Sequence, residues 1–180
     1  MDTDDVLWIG TYSGLERFDI KTGTISHFSV SDDVVTAIFR DSKQHLWVGT
    51  INGLYFCRDG NCTTFTPFNN HRYDSFIGNN TIRSISEDSH GIVYASTYDG
   101  VWQYNEAKAV FEPCSLIPED CPGKHGVVYH FIEDANGVYW LSVWGVGLVR
   151  ITPGNNSYEI YSLPDARIYT LYNNFITDEY

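Results

Sequence analysis

The sequence predicts an all-β chain of β-propeller blades, about four four-stranded antiparallel repeats that form part of a larger propeller. Three observations carry this reading. A Leu-Trp-Val-Gly-Thr motif recurs with variations, and its aromatic markers stand at Trp8, Trp47, Tyr94 and Trp140. Their spacings of 39, 47 and 46 residues suit a blade of four short strands. Aromatic residues make up 16% of the chain, a bias that favours pleated, half-buried surfaces over helices.

The clearest copy runs Val35–Arg40, Asp41, a turn, Leu46–Thr50, then Gly53-Leu54-Tyr55. A second copy has Ile82, Ile85, Asp88, Gly91, Val93–Thr97 and Gly100-Val101, and a third has Val128, Phe131, Asp134, Gly137, Tyr139–Ser142 and Gly147-Leu148. The N-terminus enters mid-motif with Asp2, Leu7–Thr11 and Gly14-Leu15. The C-terminus leaves mid-motif with Ile168, Leu171 and Asn174. Val35–Arg40 and its equivalents read as the first strand of a blade, A. The Asp that follows can bond backbone two residues on, and Gly91 or Gly137 can take the left-handed conformation that closes an A–B turn. Strand B is a nearly continuous apolar run, as expected where neighbouring blades cover both faces. Gly14, Gly53, Gly100 and Gly147 mark the B–C turn, and strand C follows. Lys21-Thr22-Gly23 and Pro153–Asn156 lead into an outer strand D at Ile25–Val30 and Tyr158–Leu163.

The repeats divide the chain at about 2–40, 41–87, 88–133 and 134–173, with a partial repeat at 174–180. Residues 174–180 repeat the motif position of residues 2–8, so a fragment with open edges is expected. Its partners would be other blades of the parent propeller, or a second copy of itself.

The formal charge is −12, from 11 basic and 23 acidic residues, with no Lys/Arg cluster to neutralise phosphates. Nucleic acid and anionic membrane surfaces are therefore not expected partners. No apolar stretch reaches the ~18 residues of a membrane span. Met1, followed at once by Asp2, Asp4 and Asp5, reads as an added start residue rather than the head of a signal peptide.

Val-x-x-Ile-x-x-Asp followed by Leu-Trp-Val-Gly-Thr and Gly-Leu resembles the two-component regulator propeller repeat. The resemblance covers essentially the whole chain and departs from the pattern at Gln44, where the turn Gly is replaced, and at Tyr94, which stands for Trp. It implies the periplasmic sensor region of a hybrid two-component histidine kinase/response regulator, one that detects an oligosaccharide and signals to a kinase outside this chain. No cofactor is implied.

Four cysteines form two local pairs, Cys57 with Cys62 and Cys114 with Cys121. Facing residues of an antiparallel hairpin have Cα atoms ~4.5–5.5 Å apart, within disulfide range, so the two local bridges are expected among the three possible pairings. Such bridges fit an oxidising compartment. Buried free thiols are the alternative. Neither spacing is that of a zinc site.

Strands that alternate in direction put the B–C turns and the D–A connections on one face. Two of those connections, 67–80 and 113–126, are longer than blade closure needs, and long loops on a rigid scaffold often carry function. The candidate ligand-binding residues on this face are Asn52, Arg72, Tyr73, Tyr98, Asp99 and Trp144, flat rings beside polar groups that could stack on sugars and bond hydroxyls. The same aromatics could simply cover blade edges. Carboxylates show no paired arrangement, and the six histidines have no metal-ligand spacing and no nucleophile motif, so an enzyme is not expected. A lyase-like propeller of the streptogramin-lyase type and a protein-docking scaffold are the alternatives.

Overall fold

The computed structural model describes residues 5–28, 30, 34–58, 62–68 and 81–162. Those residues form fifteen β-strands in four antiparallel sheets. The first sheet holds β1 (Val6–Thr11), β2 (Gly14–Asp19) and β3 (Thr24–Phe28). The second holds β4 (Val35–Arg40), β5 (Leu46–Thr50), β6 (Gly53–Cys57) and β7 (Thr66–Pro67). The third is β8 (Ile82–Glu87), β9 (Val93–Thr97), β10 (Val101–Asn105) and β11 (Val110–Pro113). The fourth is β12 (Val128–Glu133), β13 (Tyr139–Val143), β14 (Gly147–Ile151) and β15 (Tyr158–Tyr161). Strand order follows chain order in every sheet, the up-and-down meander of a propeller blade.

The A–B turns are built alike. Oδ1 of Asp41 accepts the backbone N–H groups of Lys43 and His45, and Oδ1 of Asp88 accepts those of His90 and Ile92. Oδ1 of Asp134 accepts those of Asn136 and Val138. The other oxygen reaches the aromatic marker six residues on. Trp47 Nε1 donates to Asp41 and Trp140 Nε1 to Asp134, both at 2.9 Å, and the Tyr94 hydroxyl donates to Asp88 at 2.9 Å. Tyr and Trp interchange here because each carries one donor at its far tip. Asp88 also accepts from Tyr139 of the next blade at 3.0 Å. Burial first, and then the bond to Asp88, holds both tyrosine hydroxyls well above their ordinary titration range. Gly91 and Gly137 take positive φ in these turns, 77° and 73°. Gln44 takes 69° in the third, where a side chain is strained.

Strands β5 and β9 are buried along their whole length, sandwiched between neighbouring blades. The core is divided into one apolar cluster per junction. Leu15, Leu46 and Val48 anchor the first, Trp47, Leu54, Ile82 and Phe111 the second, and Val101, Phe131, Leu141 and Val149 the third. The Gly of Leu-Trp-Val-Gly-Thr has a steric reason. A Cβ on Gly10 would meet Val35 at 2.6 Å, and one on Gly49 would meet Ile82 at 2.6 Å, so each glycine admits the first residue of the next blade's strand A.

The structure shows neither of the expected disulfides, and all four cysteines are buried. The C–D hairpin explains the first pair. Its register sets Tyr55 opposite Pro67 and Phe56 opposite Thr66, so Cys57 continues toward Phe65 rather than Cys62. Cys114 extends the β10–β11 ladder, its N–H bonded to Val101 O, whereas Cys121 sits in a local turn with its N–H bonded to Pro118 O. Each pair nonetheless shares one apolar cluster. Burial pushes the Cys114 thiol up to about 11 and raises that of Cys121.

Two measurements test this account of the fold. Asp88→Ala strands buried donors of two blades and is expected to cost about 3 kcal/mol or more in urea denaturation. Gln44→Gly should instead stabilise by on the order of 0.5 kcal/mol, since it relieves a left-handed side-chain residue. In the folded chain at pH 8, Cys114 should alkylate roughly a hundredfold more slowly than an open thiol. Four adducts after unfolding without reductant are expected, and two or none would mean that bridges form in solution.

Candidate functional site

Strand A of each complete blade carries a β-bulge at its second residue. The register shifts between Val35 and Ala37, between Ile82 and Ser84, and between Val128 and His130, leaving Thr36, Arg83 and Tyr129 as the extra residues. A bulge re-aims its side chain out of the alternation of the strand. Thr36 Oγ1 donates to Ile82 O of the next blade at 2.6 Å. Arg83 and Tyr129 turn toward the B–C turns. The Arg83 guanidinium lies over Tyr129 at 4.5 Å and over Tyr98 at 5.0 Å, and Tyr129 packs on Trp144 with ring centroids 5.9 Å apart. The result is a continuous array, Tyr98–Arg83–Tyr129–Trp144, spanning the third and fourth blades. Tyr98 and Trp144 remain 36% and 40% exposed, enough to offer ring surface to a solute.

The turns that carry these rings are rigid. Thr50 and Thr97 each donate a hydroxyl hydrogen to the carbonyl of the turn glycine, Gly53 and Gly100. Their hydroxyl oxygens also accept the backbone N–H of Asn52 and Asp99. In the fourth blade Val143 replaces the threonine, and Gly145, with φ 72°, shapes the turn beside Trp144.

Of the residues expected from sequence, the structure brings together Tyr98 and Trp144, with Arg83 and Tyr129 as intermediaries. Asp99 sits on the turn of Tyr98, its carboxylate 3.9 Å from the His125 ring. Asn52 occupies the equivalent turn of the second blade, where its N–H donates to Thr50 Oγ1. Arg72 and Tyr73 lie outside the described residues, as does most of the 67–80 connection. The long connection after β11 is described and packs against the B–C turn of its own blade, through Gly100 N–H to Gly126 O at 2.8 Å. Much of it is architecture. Ile117 and Cys121 are core, and Lys124, whose side chain is only 10% exposed, donates to the carbonyls of Cys114 and Ile117 and pairs with Glu119.

Sequence reasoning passed over Arg83 and Tyr129. A signal was present: aligned on the apolar Val35, Ile82 and Val128, the next position reads Thr, Arg and Tyr, and the one after it Ala, Ser and His, so variation begins directly after a fixed apolar residue. His130 lies beside the array. Its pKa is lowered, by burial first and then by the charge of Arg83.

A cleft of about 860 Å³ opens on the opposite face, between the A–B turns of the second and third blades, bordered by Asp41, Lys43, His45, Arg58, His90 and Glu106. Its charged groups are largely committed to holding the blades. Lys43 pairs with Glu106, His45 bonds Asp41, and the Ser42 N–H and hydroxyl donate to Glu87 of the third blade. The array therefore has the better claim to a ligand, although the cleft is larger. Among the described residues no three His, Cys, Asp or Glu side chains converge as a metal site requires.

The family described as Two component regulator propeller matches residues 29–52, the best copy of the repeat. That match identifies residues 29–52 as one such repeat. Histidine kinase P4 of Formosa agariphila is 28% identical over 184 residues, covering 96% of this chain, which spans only 13% of that relative's length. The extracellular domain of a hybrid two-component system from B. thetaiotaomicron superposes with TM-score 0.69 at 18% identity, over 93% of this chain and 21% of that one. A streptogramin B lyase superposes with TM-score 0.63 at 19% identity, over 89% and 52%. At these identities the two structures show the shared propeller fold.

His130 supplies a test of the site's electrostatics. Its folded pKa lies below the unfolded value near 6.5, so the unfolded chain binds the proton more readily. Stability from this group is present above about pH 6.5 and is lost as pH falls through the folded pKa. His130→Gln should therefore flatten the fall in Tm between pH 7 and pH 5, followed by calorimetry. Arg83→Gln should shrink it partly, because one of its two causes is removed.

Proposed function

We propose that this chain is part of an extracytoplasmic, periplasmic sensor propeller that binds an oligosaccharide on the face of its B–C turns and relays binding to a kinase elsewhere in its protein. The observation that carries the reading is the Tyr98–Arg83–Tyr129–Trp144 array, built from two bulged strands and two rigid turns. Flat, part-exposed rings stack on the apolar faces of sugars, while neighbouring polar groups fix orientation. Asn52, Arg72, Tyr73 and Asp99 complete the proposed surface. The repeat type and the likeness to a histidine kinase support a sensor rather than a catalyst. Signal would arise from a difference in ligand affinity between two states of the sensor. We also assign the exposed Leu7 and Ile9 of β1, which among the described residues pairs with β2 alone, to contact with further blades of the parent propeller.

The lyase reading rests on the fold shared with a streptogramin B lyase. It would require turnover of the bound compound.

Calorimetric titration with a panel of oligosaccharides tests the proposal. Trp144→Ala and Tyr98→Ala should each weaken binding about tenfold, the scale of ~1.4 kcal/mol expected for a lost stacking contact. Glu106→Gln, on the opposite face, should leave affinity unchanged. Unchanged affinity in both ring variants, with folding intact by circular dichroism, would move the site off this face. Chemical change in the bound sugar or in a streptogramin would favour the lyase.

A further inference from the structure

We propose that Arg83 is an anion-recognition residue, and that the saccharide bound at this face carries an acidic group, a carboxylate or a sulfate, which Arg83 receives. The inference rests on the sugar-binding reading above and adds the chemical class of the ligand.

The state of the guanidinium motivates it. Arg83 is only part-exposed, and its Nε is buried without an acceptor. Among the described residues it donates no hydrogen bond and forms no ion pair; its contacts are the rings of Tyr98 and Tyr129. The other arginines whose side chains could serve as a comparison are matched differently. Arg150 pairs with Glu159, and Arg40 donates through Nη1 to Gln44 O although its Nε, like that of Arg83, is buried without an acceptor. Tyrosine rings attract a cation through their quadrupole but their faces offer no lone pair, so these contacts leave the guanidinium N–H donors unmatched. A part-desolvated guanidinium with unmatched donors is costly to keep, and an oxyanion that accepts two parallel N–H bonds supplies both the charge and the geometry it lacks. A neutral hydroxyl supplies neither fully.

The position suits recognition. Arg83 is the bulged residue of its strand, held at the join between the third and fourth blades with a ring of each beside it. A sugar stacked on Tyr98 or Trp144 would bring a ring substituent toward this charge. The nearest carboxylate on the same turn, Asp99, faces His125 at 3.9 Å instead of Arg83. No described acidic group therefore competes for the guanidinium.

The test uses the 180-residue chain, labelled with ¹⁵N, and follows the Arg83 Nε–H resonance, assigned by its loss in Arg83→Lys. Inorganic sulfate, glucuronate and glucose are added separately, and calorimetry compares a glucuronate-containing disaccharide with its neutral counterpart of the same linkage. The expected result is a saturable Arg83 shift with glucuronate or sulfate but none with glucose, and at least tenfold tighter binding of the acidic disaccharide. Arg83→Gln should bring the acidic-to-neutral affinity ratio to within twofold of one. Arg83→Lys, which keeps the charge without the fork, should retain an intermediate ratio, and it serves as the readout should the Gln variant fail to fold. A response to sulfate alone assigns a sulfated ligand, and a response to glucuronate alone a uronate. Equal affinity for the two disaccharides, or an acidic preference that survives Arg83→Gln, overturns the inference while leaving sugar binding in place. If no saccharide binds, the sensor reading falls and the resonance decides this one: a shift with the simple anions upholds the anion site, and a silent Arg83 ends it.

Discussion

In each of the three described A–B turns a single aspartate side chain closes the turn and fastens it to strand B. One oxygen gathers two backbone N–H groups, and the other takes the N–H or O–H at the tip of the aromatic marker. These bonds satisfy the oxygens of carboxylates as buried as Asp41 and Asp88. The spacing of six residues follows from this geometry: the chain must turn and then run far enough along strand B for the ring to lean back over the turn. Removing the aspartate frees the ring that fills the junction with the next blade. Trp47 makes this concrete, since its ring packs on Phe56, Tyr104 and Phe111 while its Nε1 is tied to Asp41. Turn, blade and junction therefore share one anchor.

The junctions add a second rule. The serine after the turn aspartate, Ser42 or Ser89, donates its N–H and hydroxyl to the glutamate that ends the next strand A, Glu87 or Glu133. With glycine or a small residue in strand B admitting the head of that same strand, its apolar residues are gripped near both ends. The slack falls between, at the bulged second residue. Thr36, Arg83 and Tyr129 differ in character there, whereas the residue before each, Val35, Ile82 or Val128, stays apolar. A repeat scaffold of this kind separates positions that hold blades together from positions free to meet a solute.

This separation explains what was legible in the sequence. Strands A, B and C were readable because the markers that define them are the residues that pin them; β4, β5, β9 and β13 fall where the motif puts them. Strand D was less sharp. It lies at the outer edge without a marker, is largely exposed in β3 and β15, and ends earlier in both than the apolar pattern suggested. The disulfides misled for a physical reason: local spacing suggested facing residues, but hairpin register, set by the length of the turn, carried Cys57 past Cys62. Tyr98 and Trp144 were found because topology alone puts B–C turns on one face. Arg83 and Tyr129 were missed because the alternation of an ideal strand would not point them there, and bulges are not written in composition. Comparing the repeats with one another narrows them down, since the character of the strand varies directly after its fixed apolar first residue.

An acidic chain that recognises an anion looks contradictory, and the length scale of electrostatics resolves it. Charges in solvent are screened over about 8 Å at physiological ionic strength, so most of the −12 carried by this chain contributes little at any one point on its surface. What a bound group feels is the charge within a few ångströms and the dielectric around it. Carboxylates near the blade junctions are occupied: Glu87 and Glu133 by serines, Glu112 by Lys108 and Asn105, Asp88 by its turn and two tyrosines. Arg83, by contrast, has π faces and no counter-charge among the described residues. Net charge then governs solubility and the repulsion of distant polyanions, while a single guanidinium between two rings governs what is held. Such a site would favour a small anionic sugar over an extended polyanion, because only the former can come within reach of Arg83 without meeting the acidic surface around it.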